Sequence, residues 1–434
     1  LRFERLPAIA AAVNDTIVAL SSGRPPAAIA VVRTSGPDAF AAAEAIAGRL
    51  PAARQAGLRR LIDPGDGSLI DQALVLRFDA PNSSTGEDIV EYQCHGGRAT
   101  IDALIDALIA QAGIRLAEPG EFTRRALANG RLDLTEAEGL ADLLAAETEL
   151  QRRSAMARAG GALRKLLEGW RDRLLELSAR AEVAIDYADE EEASGDPQLR
   201  SDIRSLGDDM ASLVEGPRVE PLRDGVRVVV AGPPNAGKSS LVNALAQSEK
   251  AIVTHIPGTT RDLIEVPVAI DGVPFVLVDT AGLRVSDDAV EAIGIERARS
   301  EAERAELLLW LGDAPDAPDR PGVILVAPKA DLGHCAGGLP VSAVTGQGRA
   351  ELVRALVEQA RQLLPKADEL ALDRRQHDLL AESQAALRRA AELDDPVLMA
   401  EELRVARLAI DRISGRAGVE DLLDALFGRF CLGK

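Results

Sequence analysis

Short apolar runs with a period of two lie near the start of the chain, and longer runs with a helical period dominate its middle and end. Residues 16–20 and 27–32 read as strands, the second leading into the turn-forming Arg33-Thr34-Ser35-Gly36-Pro37. An alanine-rich helix is expected over 38–50, strands over 74–78 and 88–93, and a helix over 99–111. Together they make a small α+β domain, assigned to residues 1–118. From 122 to about 180 the pattern is almost continuously helical, with Leu132, Leu134, Leu140, Leu143 and Leu144 at apolar spacing and Gly160-Gly161 as a break. A helix over 196–215 and a linker over 216–225 follow, and 371–391, 396–414 and 418–430 return to amphipathic helix. Each helical stretch is an incomplete bundle. The economical reading is one all-helical domain, 119–220 plus 366–434, into which an α/β unit, 221–365, is inserted.

The inserted unit carries the clearest chemistry. Gly232-Pro233-Pro234-Asn235-Ala236-Gly237-Lys238-Ser239 follows the apolar run 226–231 and precedes Ser240-Leu241-Val242, so a strand feeds a glycine-rich loop and a helix start. The glycines let backbone N–H groups turn inward around a β-phosphate, and the helix adds its positive end. Lys238 would neutralise β/γ oxygens, and the Ser239 hydroxyl would hold Mg²⁺. Further along, Pro257-Gly258-Thr259-Thr260-Arg261-Asp262 precedes a strand pair around 266–270 and 275–278. That pair runs into Asp279-Thr280-Ala281-Gly282-Leu283, where a carboxylate at a strand tip can serve the Mg²⁺ water shell and the Gly282 N–H can face a γ-phosphate. Strand 323–327 leads to Lys329-Ala330-Asp331, and Pro340-Val341-Ser342-Ala343-Val344-Thr345-Gly346 is of the kind that closes over a base. Asp331 would accept from guanine N1–H and the 2-amino group, a donor pair adenine lacks. In this order the signals describe a P-loop α/β GTPase domain that binds GTP.

Composition narrows the setting. A chain of 434 residues with 47% hydrophobic content supports about three domains with real cores. Its net charge of -19 argues against bulk attraction to nucleic acid, leaving Arg124, Arg125 and Arg131, or Arg152, Arg153 and Arg158, as local basic surfaces or, more simply, solvated helix faces. No uninterrupted apolar run is long enough to span a bilayer and no signal-peptide pattern is visible, so no membrane attachment is expected. Cys94, Cys335 and Cys431 form no ligand-spaced pair, which fits a cytoplasmic protein. His95 beside Gly96-Gly97 could touch a ligand, although a turn histidine bonded to backbone is the simpler reading. The acidic Asp186-Tyr187-Ala188-Asp189-Glu190-Glu191-Glu192 lacks calcium-loop spacing and reads as a solvated helix junction.

Motifs over nearly the whole chain add a resemblance. Asn14-Asp15-Thr16-Ile17-Val18, Ser35-Gly36-Pro37, Thr85-Gly86-Glu87-Asp88, His95-Gly96-Gly97, Glu118-Pro119-Gly120-Glu121-Phe122, Asn129-Gly130-Arg131-Leu132-Asp133-Leu134 and Cys431-Leu432-Gly433-Lys434 accompany the nucleotide motifs. In combination the chain resembles the MnmE (TrmE) family of tRNA-modification GTPases. The resemblance implies a homodimer whose N-terminal domain binds a folate one-carbon donor, 5,10-methylenetetrahydrofolate or 5-formyltetrahydrofolate, with Arg33, Glu87 and Arg131 as contacts and Cys431 towards the folate region. It implies an FAD-dependent partner, MnmG (GidA), with tRNA as substrate modified at C5 of the wobble uridine. It also implies K⁺-stimulated hydrolysis, with K⁺ at Asn235, Mg²⁺ at Ser239, Thr260 and Asp279, and Glu291 orienting the attacking water. The catalytic set is then Glu291, Lys238, Thr260 and Gly282, and Asn235, Ala236, Gly237, Lys238, Ser239, Ser240, Thr259, Thr260, Asp279, Gly282, Lys329, Asp331, Ser342 and Ala343 hold the nucleotide. Two departures stand out: Pro328 replaces the asparagine expected to tie the base loop to the phosphate loop, and the segment after 307–311 is short. The competing reading is a GTP-switch assembly factor for RNA or ribosomes, in which hydrolysis is only a timer.

Overall fold

The computed structural model describes residues 15–186, 196, 198–247, 251–253, 264–279, 301, 303–333, 337–366, 369–417, 426, 427 and 433. By its internal contacts the chain falls into two units, 1–141 with 411–434, and 142–410. The expected helix over 418–430 and the acidic stretch after Asp186 lie largely outside the described residues.

In the first unit the elements run β1 (Thr16–Leu20), β2 (Ala27–Ser35), α1 (Ala39–Ala47), β3 (Gly57–Ile62), β4 (Leu69–Phe78), β5 (Ile89–Gly96), α2 (Arg98–Ile109), β6 (Ile114–Leu116), α3 (Glu121–Ala128) and α4 (Leu134–Ala145). The strands form one sheet in the order β3-β4-β5-β2-β1-β6, with β1 and β6 parallel and the other neighbours antiparallel. Alternation places Val18, Val32, Val75 and Tyr92 on the face covered by Ile46 of α1 and by Leu104 and Leu108 of α2. Each such buried side chain contributes roughly 1.5–3 kcal/mol of burial. On β1 the opposite side chains, Ile17 and Ala19, pack with Ala117 and Phe122. The pattern missed β3 and β6: β3 is an edge strand whose large apolar residues apart from Leu61 are exposed, and β6 has three residues. It also ran α1 too far, because Gly48 at φ 67 ends that helix after Ala47.

The second unit holds α5 (Glu149–Ala159), α6 (Ala162–Asp186), α7 (Leu199–Val214) and α8 (Glu220–Arg223), then the nucleotide elements, and later two more helices. The break at Gly160-Gly161 separates α5 from α6 as the sequence implies. Thr148 opens α5 with a reciprocal capping box to Gln151. Leu163, Leu167, Trp170, Leu174, Leu177 and Ala181 are the buried stripe of α6, spaced alternately by four and three. The nucleotide elements are β7 (Val226–Ala231), α9 (Lys238–Ala246), β8 (Ala251–Val253), β9 (Ile264–Ile270), β10 (Val273–Asp279), β11 (Leu307–Trp310), β12 (Val323–Pro328), β13 (Leu339–Val341) and α10 (Arg349–Leu363). Their sheet has the order β13-β12-β11-β7-β10-β9-β8 and is parallel from β13 to β10, with β9 and β8 joined antiparallel. Val228 and Val230 of the central β7 face Leu241, Leu245 and Leu356, while Val229 meets Val278, Ala305 and Leu308 on the other side. Burial on both faces explains why β7 and β12 read as largely apolar runs.

After the sheet come α11 (Arg374–Glu392) and α12 (Pro396–Ile413). The Gly207 carbonyl of α7 accepts from Gln384 Nε2 of α11 at 3.1 Å. The chain segments leading into and out of the nucleotide elements run side by side, Val219 N donating to Leu372 O at 3.0 Å and Arg374 N to Glu220 Oε1 at 2.6 Å. An α+β region, a helical stretch and a P-loop α/β region are therefore all present. Among the described residues no helix is long and apolar enough to cross a membrane.

Candidate functional site

The phosphate loop joins the end of β7 to the start of α9, in the central strand of the sheet. Its shape is set by residues that accept unusual backbone angles. Gly232 has φ 142, and a Cβ there would lie 2.7 Å from Leu311 O, so only glycine lets the loop cross β11's end. Asn235 at φ 61 and Gly237 at φ 99 then curl the backbone before Lys238 opens the helix. Lys238 is 8% exposed, and its ammonium donates to Gly232 O and Pro233 O, each at 2.9 Å. Ser239 and Ser240 stand exposed in the first turn of α9, where helix N–H groups and the dipole favour an anion. Asp279 ends β10, the strand paired in parallel with β7, and is 3% exposed. Hard oxygen donors of this kind, a strand-tip carboxylate and a helix-start hydroxyl, suit Mg²⁺.

The base side is built at the ends of β12 and β13. Lys329 adopts a left-handed conformation at φ 58 and starts a 3₁₀ turn, Ala330–Leu332, that holds Asp331 at the surface. The Lys329 ammonium reaches across and donates to Asn235 O at 2.8 Å. The base loop is thus tied to the phosphate loop despite Pro328, through a lysine whose motif assigns it only to the nucleotide. Across the loop, Ser342 is 1% exposed, its hydroxyl accepting from Val344 N at 3.3 Å and Thr345 N at 3.1 Å, with Ala343 partly covered beside it. Gly348 closes the turn at φ 70, where a Cβ would come within 1.8 Å of Pro340 O. Asn235, Ala236, Gly237, Lys238, Ser239, Ser240, Asp279, Lys329, Asp331, Ser342 and Ala343 therefore occupy the loops, helix start and strand tip at the ends of one sheet's strands. Thr259, Thr260, Gly282, Glu291 and Cys431 lie outside the described residues.

A second polar cluster forms in the first unit. Arg33 on β2 donates to Glu91 through Nε at 2.9 Å and Nη2 at 2.7 Å, and its guanidinium lies 5.7 Å from the Phe122 ring centre. Two residues on, Ser35 Oγ donates to Glu87 Oε2 at 2.7 Å. Arg131 is exposed, and its chain passes Gly86, since a Cβ there would lie 3.2 Å from Arg131 Cγ. Arg33, Glu87 and Arg131 are thus all linked to the β2 end and the 83–88 loop.

Two of the arginines suggested as a basic surface are buried instead. Arg125 is 4% exposed and donates to Asp15 Oδ1 at 2.7 Å, Asp15 O at 2.9 Å and Glu121 Oε1 at 2.9 Å, with Glu87 at 3.3 Å. Arg115 grips Glu121 at 2.6 and 2.8 Å. Burial works against the Glu121 charge, but Arg115, the Glu118 N–H and Arg125 outweigh it and hold its carboxyl down to about 2. Arg158, 2% exposed, pairs with Asp142 and approaches Asp373, the N-cap of α11, at 3.7 Å. Arg152 and Arg153 share Glu149 at the surface. His95 lies one residue before the end of strand β5 rather than in a turn, with Nδ1 2.8 Å from Asp71 Oδ1. No sequence signal distinguished Arg125 or Arg158 from surface arginines, because their partners lie 16 to 215 positions away, apart from Glu121 four residues before Arg125.

The comparisons cover almost all of this architecture. The family model described as GTP-binding protein TrmE N-terminus matches residues 16–131, and that described as MnmE helical domain matches 134–431. A tRNA modification GTPase MnmE from Erythrobacter litoralis is 54% identical over 424 residues, covering 97% of this chain and 100% of that protein. Its namesake from Novosphingobium aromaticivorans is 51% identical over 439 residues, with 97% and 100% covered. Among solved structures, the G domain of the T. maritima FeoB iron transporter is 29% identical over a match covering 31% of this chain and 98% of that chain, with a TM-score of 0.22. Identity of this level over whole chains, together with the phosphate loop and base loop brought to the strand ends of one sheet, means that the chain belongs to the MnmE (TrmE) family of tRNA modification GTPases.

Proposed function

We propose that the protein is a K⁺-stimulated GTP hydrolase that acts, as a homodimer with the FAD-dependent MnmG and tRNA, in modification of C5 of the wobble uridine. The observation that carries the GTPase reading is the joined pair of loops: Lys238 and the curled 232–237 backbone for phosphates, and Asp331 on a turn fixed to that loop by Lys329. Asp331 would accept from guanine, and Ser342 and Ala343 would close over the base. Mg²⁺ would be held by Ser239, Thr260 and Asp279 and would offset charge on the phosphate oxygens. K⁺ would be met by Asn235 beside the phosphates. Thr259 and Thr260 would accompany the γ-phosphate, the Gly282 N–H would face it, and Glu291 would orient water.

In the first unit, Arg33, Glu87 and Arg131 would meet a reduced folate, 5,10-methylenetetrahydrofolate or 5-formyltetrahydrofolate. Support comes from the Glu87 carboxylate, held by Ser35 and Arg125 beside the exposed Arg131. The proposed domain division is 1–118, a helical domain of 119–220 with 366–434, and a GTPase domain of 221–365, supported by the side-by-side connections at Val219 and Leu372.

Steady-state hydrolysis of GTP and ATP by the full chain, each in KCl and NaCl at equal ionic strength, tests the reading. Rapid GTP turnover in KCl alone is expected. Equal slow rates for both nucleotides in both salts would remove guanine selection and the K⁺ role together.

A further inference from the structure

The chain carries a net charge of -19, yet residues 45–62 hold Arg49, Arg54, Arg59 and Arg60 and no acidic residue. The stretch runs from the end of α1 through a loop into β3, the edge strand of the first sheet. Arg33, Arg77, Arg115 and Arg125 of the same unit are each paired with a carboxylate. Among the described residues Arg49, Arg54, Arg59 and Arg60 have no such partner; Arg59 is half-buried and the other three are exposed.

Two of the four are held by backbone carbonyls instead, which fix a guanidinium without cancelling its charge. Arg59 donates from Nε to Arg49 O at 2.7 Å and from Nη1 to Leu58 O at 2.9 Å. Gly57 leaves it room, since a Cβ there would lie 2.9 Å from Arg59 Nη1. Arg54 donates from Nη2 to Asn82 O, and its guanidinium lies 5.6 Å from the Phe78 ring centre. Its own N–H donates to Arg77 O at 2.9 Å, and its φ of 62 is a left-handed angle that a residue with a Cβ keeps only where its surroundings impose it. These bonds use only part of each donor fork. Successive strand residues project to opposite faces, so Arg59 reaches back over the end of α1 and Arg60 stands on the other face of the edge. Charge on an edge strand guards it against pairing with another chain, and Arg60 suffices for that. Such a guard calls neither for Arg49 just beyond α1 nor for Arg54 at a strained angle in the loop before β3.

We propose that Arg49, Arg54, Arg59 and Arg60 form a surface that takes the phosphate backbone of RNA. Guanidinium forks set in place, with donors to spare and their charge uncancelled, match phosphate oxygens. A short basic strip on an acidic protein contacts the backbone locally without drawing in nucleic acid by bulk charge. The proposal rests on the reading of tRNA as substrate and puts a contact for it on the first unit. Contacts of this kind set position and carry no base preference.

The full-length protein is titrated by fluorescence anisotropy with a labelled tRNA transcript carrying uridine at the wobble position, over a series of KCl concentrations. It is compared with R54Q/R59Q, R49Q/R60Q and R152Q/R153Q. The last removes the same charge from α5, where both arginines share Glu149, and controls for net charge. R54Q/R59Q and R49Q/R60Q should each weaken binding about tenfold or more and flatten the slope of log affinity against log salt by about one per arginine removed. R152Q/R153Q should stay within about twofold with its slope unchanged. Equal losses in all three variants overturn the proposal. If R54Q/R59Q folds poorly, R49Q/R60Q still decides it, because among the described residues neither replaced side chain donates a hydrogen bond. Unchanged tRNA affinity in R49Q/R60Q, with a fall from dimer to monomer on a sizing column, would make the strip a contact between copies and overturn the proposal. A parent that does not bind the transcript overturns it together with the tRNA reading; a parent that binds, with every variant matching it, overturns the proposal alone.

Discussion

Replacing Glu121 with glutamine tests how the first unit carries its buried charges. The carboxylate is 9% exposed and takes two bonds from Arg115, one from the Glu118 N–H and two from Arg125. An amide of the same shape loses the charge and turns an NH₂ towards guanidinium donors. Holding the group's pKa at about 2 instead of its ordinary 4.5 is worth about 3 kcal/mol at neutral pH, at about 1.4 kcal/mol per pH unit. The sign follows from a depressed carboxyl: this stability is full above pH 4.5 and is lost as pH falls towards 2. At pH 3 about 1.4 kcal/mol of it remains. A multidomain chain does not unfold in one step, so the readout is amide hydrogen exchange of the peptide spanning β6 and α3. The variant should exchange about a hundredfold faster than the parent at pH 7 and about tenfold faster at pH 3. No difference at pH 7, or the same ratio at both pH values, would refute the charge network as a source of local stability.

Two further substitutions probe the second unit. Gly348→Ala places a Cβ 1.8 Å from the Pro340 carbonyl at φ 70, so GDP affinity should fall tenfold or more, roughly, whereas Gly272→Ala, at φ 78 with open space around it, should change it less than about twofold; equal effects would show that the base-loop turn tolerates displacement. Arg158→Met removes the guanidinium from Asp142 and Asp373 and should destabilise the helical part by about 3–5 kcal/mol. Burial already pushes the Asp142 carboxyl up against the pull of Arg158, and losing the arginine raises it further. A raised carboxyl favours the fold at low pH and penalises it as pH climbs, so the excess in amide exchange of the α5 peptide should widen from pH 4.5 to 7.5, roughly; an excess independent of pH would contradict the pairing.

The sequence by itself determined what is local. A strand, a glycine loop, a lysine and a helix start within about fifteen residues suffice to make a phosphate cradle, because backbone angles and the helix terminus do the work without distant partners. The largely apolar runs of β7 and β12 were legible for the same reason, as burial leaves its mark on the chain. Edge strand β3 was not, since most of its large apolar side chains face solvent and leave a weak pattern.

Only the tertiary structure decided the fate of the charges. Arg125 and Arg158 look like surface helix residues until topology delivers Asp15 and Glu87 to one and Asp142 and Asp373 to the other. Pro328 read as the loss of a tie between base and phosphate loops, and the fold supplied one through Lys329 from across the sheet. A charge can be buried, or an awkward backbone angle held, only where partners far along the chain converge, and spacing in sequence does not record that convergence.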